Sequence, residues 1–128
     1  MKLIELMKNC DRSDNVTSIQ RLQRCSSYIG SGIEMIYKIA DIVPRMIFLN
    51  LREGYENDYV YSGIEEKYNF HVSISYENDL FLKQLSNYSK GDVVKLIAKL
   101  VEVDYSTSLN ASFILMSIEK SNLKPDVE

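Results

Sequence analysis

A chain of 128 residues, 45% of them apolar and 26% charged, has the size and balance of one globular domain that needs no metal or disulfide staple. A net charge of −3 argues against a partner held through its phosphates, and no stretch approaches the roughly 18 apolar residues that cross a membrane. Two cysteines, Cys10 and Cys25, fall short of a disulfide framework and no secretory segment precedes them, so a reducing cytoplasm is the expected setting.

The charge is unevenly spread. Residues 1–32 carry five basic and three acidic side chains, whereas residues 33–119 carry eight basic against thirteen acidic. The sequence divides accordingly into a helical lead-in over 1–32, a body over 33–119, and a tail over 120–128 that should fray.

Met1 to Lys8 has the pattern of a short amphipathic helix. Thr17-Ser18-Ile19-Gln20 fits a capping box, and Ile19, Leu22 and Cys25 follow at helical spacing with Arg21 and Arg24 off that stripe. This predicts a helix over about 17–28, broken by Gly30-Ser31-Gly32. Residues 29–43 admit two readings. Ile33, Met35, Tyr37 and Ile39 alternate with Glu34 and Lys38 as in a half-buried strand, while Ile29, Ile33, Ile36, Ile39, Ala40 and Val43 also fit a continued helix; Pro44 ends either.

Met46 to Leu51 is a second strand, ended by Glu53-Gly54. A polar stretch follows, in which Tyr59-Val60-Tyr61 has the pattern of a short strand. Asn69 to Tyr76 is the clearest strand: Phe70, Val72, Ile74 and Tyr76 form the core row, and Asn69, His71, Ser73 and Ser75 the wet one. The period then becomes helical. Asn78 or Asp79 caps a helix carrying Phe81, Leu82, Leu85 and Tyr88, which stops at Lys90-Gly91-Asp92. Strands at Val93–Val103 and Ala111–Glu119 complete the body, with Asp104 to Asn110 as their turn.

The order β-β-β-α-β-β defines a mainly β chain and resembles the OB fold, the five-stranded oligonucleotide- and oligosaccharide-binding barrel. The resemblance covers roughly residues 33–119. It rests on the helix slot at Asp79 to Tyr88, the turn-plus-strand motif Lys90-Gly91-Asp92-Val93-Val94-Lys95-Leu96-Ile97-Ala98-Lys99-Leu100, and a closing strand from Asn110 to Ile118. With a helix in front, the arrangement is similar to the small anticodon-binding-like OB domains of uncharacterised bacterial proteins. It implies a barrel with the 79–88 helix plugging one end. The sequence departs from the nucleic-acid binders of that family in lacking outward aromatics and a basic groove.

No catalytic, metal or cofactor site is expected. His71 has only Asn69, Ser73 and Ser75 on its own strand face, Cys10 and Cys25 lack a second pair, and the carboxylates Glu53, Glu56, Asp58, Glu65 and Glu66 lack the alternating spacing of a calcium loop. What remains is a non-catalytic binding or protein-interaction module whose partner is another protein. Its contact residues are expected to be the loop tyrosines Tyr55, Tyr59 and Tyr61, with His71, Lys95 and Lys99. Weak binding of single-stranded nucleic acid is the alternative, disfavoured by the acidic body.

Overall fold

The computed structural model describes residues 1–10, 15–54, 70–105 and 109–121. Helices α1 (Leu3–Asn9) and α2 (Ser18–Ser26) precede strands β1 (Gly32–Val43), β2 (Met46–Gly54) and β3 (Phe70–Ser75). Helix α3 (Asn78–Leu85) and strands β4 (Val93–Tyr105) and β5 (Leu109–Lys120) follow. Residues 32–43 are therefore strand rather than continued helix, because their twofold rhythm lets β1 pair on both edges. Gly32 to Lys38 lies against Lys99 to Val93 of β4, and Lys38 to Val43 against Asn50 to Met46 of β2.

The five strands close into a barrel in the order β1-β2-β3-β5-β4. All pairings are antiparallel except β3 with β5, which run parallel from Phe70↔Leu109 to Ser75↔Ile114. With α3 between β3 and β4, this is the OB fold. The inward rows are the alternate apolar residues: Ile33, Met35, Tyr37 and Ile39 from β1, Val94, Leu96, Ala98 and Leu100 from β4, and Ala111, Phe113 and Leu115 from β5. Burying each large side chain contributes roughly 1.5–3 kcal/mol, so these rows are the main source of stability. On β3, Ile74 and Tyr76 are buried as the core row requires, while Val72 is only half-buried.

The two ends of the barrel are covered unequally. At the start of β1, the Glu34 N–H donates to Met1 O at 2.8 Å and the Gly30 N–H to Leu100 O at 2.7 Å, which seats α1 and α2 there. Helix α1 buries Leu3, Ile4, Leu6 and Met7 in the same core as the barrel. At the other end α3 buries only Leu85, with Phe81 and Tyr88 packed partly against the core. The heavier plug is thus the N-terminal helix, not the helix in the family's usual slot.

Three local expectations change. The α2 capping box forms, Gln20 N–H donating to Thr17 Oγ1 at 3.1 Å and Thr17 N–H to Gln20 Oε1 at 2.9 Å. Its buried face, however, is Arg21 and Cys25, with Ile19 67% exposed. Arg21 turns inward because its Nε–H donates to the Cys10 carbonyl at 2.7 Å, a partner the local pattern does not reveal. Helix α3 is preceded by Glu77 without a side-chain cap; Asn78 instead accepts the Arg45 N–H at 3.2 Å. The final strands extend to Tyr105 and begin again at Leu109, so the turn between them is shorter than Asp104 to Asn110. The tail beyond residue 121 and the possible strand at 59–61 lie outside the described residues.

Candidate ligand groove between the second and third strands

The site begins with a failure of pairing. Among the described residues β2 pairs with β3 only at Met46↔Ser75 and Ile47↔Ile74, then departs while β3 continues along β5. On its other edge β2 follows β1 as far as Lys38↔Asn50, after which the register jumps to Tyr37↔Gly54. A bulge of this kind bends the strand and re-aims its side chains. The splayed strands leave a groove of about 520 Å³ lined by the apolar side chains of Ile39, Ala40, Leu49, Leu51 and Val72 together with Lys38, Asn50, His71 and Gly91.

The turn after α3 completes the lining. Gly91 N–H donates to Ile39 O and Ile39 N–H to Asp92 O, both at 2.9 Å, fastening this turn to β1. Gly91 has φ +88°, a left-handed conformation that glycine adopts without strain. Asp92 locks the turn by accepting the Ser89 N–H at 2.8 Å, and Lys120 approaches the same oxygen at 3.5 Å. The Ser89 N–H foremost, and Lys120 after it, hold the Asp92 carboxyl below the usual carboxylate range.

Chemically the groove offers apolar side chains, a lysine, an amide and an imidazole. Among the described residues no carboxylate lines it, although acidic side chains outnumber basic ones by 18 to 15 in the chain. Phe48, the next residue of β2 toward the turn, is exposed and stands opposite Asp41 on β1. Among the described residues no three His, Cys, Asp or Glu side chains come together as a metal site, and no helix is long and apolar enough to cross a membrane.

Of the residues expected to make contacts, His71 lies on the groove. Tyr55, Tyr59 and Tyr61, and most of the acidic cluster from Glu56 to Glu66, lie outside the described residues. Lys95 and Lys99 point outward from β4, on a different surface. There Lys95 pairs with Glu34 at 3.5 Å, and Lys99 shares the face with the exposed apolar side chains Ile97, Ile114 and Met116. Lys38 and Asn50 were missed as groove residues. Their signal was polarity inside otherwise apolar strands, Asn50 interrupting Met46-Ile47-Phe48-Leu49 and Leu51.

No known family model matches this sequence, and no curated protein matches it. Among solved structures, the mitochondrial single-stranded DNA binding protein of S. cerevisiae aligns with 71% of this chain and 95% of its own, at 12% identity and a TM-score of 0.48. That likeness is distant, and the assignment to the OB fold stands on the strand order and pairing themselves.

Proposed function

We propose that this protein is a non-catalytic binding module whose β2–β3 groove takes a short segment of single-stranded nucleic acid. The observation that supports the reading is the groove's composition: among the described residues it holds a lysine, an imidazole and an amide beside apolar side chains and no carboxylate, on an acidic protein. A phosphate is attracted to Lys38, a base lies against Leu49, Val72 and the His71 ring, and Asn50 provides an amide for a base edge. The volume is within the roughly 300–1,000 Å³ of small-ligand sites, which suits one or two nucleotides rather than a long tract.

Fluorescence anisotropy with labelled DNA and RNA oligonucleotides tests this. Binding should be weak and fall with salt, with a log–log slope of about −0.7 per phosphate contacted. Lys38→Ala should weaken binding to all sequences alike and make the slope shallower by about 0.7. Absence of binding to every oligonucleotide at about 50 mM salt ends this reading.

A protein partner is the second reading, and a separate surface favours it. Ile97, Ile114 and Met116 form an exposed apolar row on the outer face of β4 and β5, rimmed by Lys95, Lys99 and Glu119. An apolar centre inside a charged rim is the usual composition of a protein contact. Met116→Lys should abolish such a contact, read by sedimentation with the partner, and leave oligonucleotide binding unchanged.

A further inference from the structure

The apolar patch on the outer face of β4 and β5 has a local cause. Between Ile97 and Ala98 the pairing jumps from Ser117 to Leu115, so Met116 is an extra residue in β5. Such a bulge breaks the in-and-out alternation, and Met116 and Ser117 are both exposed in succession. Met116 is 54% exposed, and Ile97 and Ile114 near it are exposed too. The patch is continuous across the sheet: a Cβ at Gly32 of β1 would lie 3.3 Å from Ile97 Cγ2 and 3.9 Å from the Met116 sulfur. Next to Met116 is a hollow of about 150 Å³ lined by Lys95, Ile97, Ser117, Ile118 and Glu119.

The charges around the patch are sorted by end. Lys99 stands opposite Ile114 at one end, and Glu119 stands opposite Lys95 at the other. Lys95 is paired with Glu34 at 3.5 Å, so the second end holds one basic side chain against two acidic ones. Glu102 lies outside the patch, beyond a second register shift. A positive end, an apolar middle and a negative end make a surface that complements its own copy when that copy is turned end for end.

We propose that this face is a homodimer contact, on which a second copy of the chain packs about a twofold axis lying in the sheet and across the strands. The proposal rests on the reading of this face as a protein-binding surface and names the partner. The axis inverts strand direction, so Lys99 of each copy approaches Glu119 of the other. Met116 of each copy enters the hollow beside Met116 of the other, a role that suits an unbranched thioether able to fill an irregular gap. Every contact is made twice, as in any isologous interface. With three exposed apolar side chains from each copy the interface is small, and the dimer should dissociate with a Kd on the order of 10 µM or weaker. The groove between β2 and β3 stays open in both copies, because the apolar side chains of the contact come from β4 and β5.

Sedimentation velocity of the full chain alone, at about 5 to 500 µM, tests this. The weight-average mass should climb with concentration from that of one chain towards twice that value. Met116→Lys should raise Kd more than about tenfold. Lys99→Glu and Glu119→Lys should each weaken the dimer as well, since each sets like charges against one another. Mixing those two variants should restore it, because both pairs between the copies are then of opposite sign. All three positions are exposed, so the circular dichroism of each variant should match that of the unaltered chain. A chain that stays monomeric up to about 500 µM overturns the homodimer, and that measurement needs no variant. A dimer that survives Met116→Lys, or a mixture of the charge variants that stays monomeric, overturns it too. The wider reading of the face is judged apart: it outlives a monomeric chain if a different protein co-sediments with this one and is lost on Met116→Lys.

Discussion

Arg45 has φ +72° at the tip of the β1–β2 hairpin, where Val43 pairs with Met46. Pro44 before it fixes a φ near −65°, so the two residues form the Pro-then-positive-φ turn that favours glycine second. Arginine there carries the steric cost of its Cβ in a left-handed conformation. What the position contributes is main chain: its N–H donates to Asn78 Oδ1, and its carbonyl accepts the Tyr76 N–H at 3.1 Å. Arg45→Gly keeps both bonds and should stabilise the protein by about 1 kcal/mol, read from denaturant midpoints at unchanged m. Thr17 is the opposite case, since its side chain is the interaction. Thr17→Ala removes one half of the α2 capping box and should cost about 1 kcal/mol in the same measurement.

The lead-in helices divide at the level of elements into what the pattern announces and what it conceals. Leu6 of α1 is fully buried in the core shared with β1 and β4, so Leu6→Ala should cost about 2–5 kcal/mol and lower the melting of the whole barrel in one transition. A separate early transition in calorimetry would show instead that α1 melts alone. The strands were legible because a twofold rhythm is a local property: Val72, Ile74 and Tyr76 are inward or half-inward, and His71, just before them on the opposite row, is exposed. So was the period change at α3. The inward turn of Arg21 was not legible, because what stabilises a buried guanidinium is a carbonyl eleven positions earlier in the chain. The groove was hidden for a related reason. It exists because β2 leaves β3 after Ile47, and where two strands part depends on register between them rather than on either one's own alternation.

For the molecule as a whole, the closing corner of the barrel ties stability to pH. Asp92 sits where α3, β4 and β5 meet: it accepts the Ser89 N–H, approaches Lys120, and its carbonyl receives the Ile39 N–H of β1. Lys120 in turn lies 5.5 Å from the centre of the Tyr88 ring, and Gln84 donates to the Ile118 carbonyl at 2.8 Å, so α3 is held to β5 through the same corner. Because the folded protein holds the Asp92 carboxyl below its unfolded value, folding favours the charged form. That contribution is fully present above the unfolded value of about 4 and is lost as pH falls through the lower folded value. Asp92→Asn should therefore melt below the unaltered protein at pH 7, and the difference should shrink only once the pH drops under about 4. The same turn carries Gly91 into the groove, so the variant should also weaken oligonucleotide binding at pH 7 while leaving its salt slope unchanged, since no phosphate contact is removed. A melting difference that persisted undiminished to the lowest pH would mean that the side chain acts through its shape and not its charge.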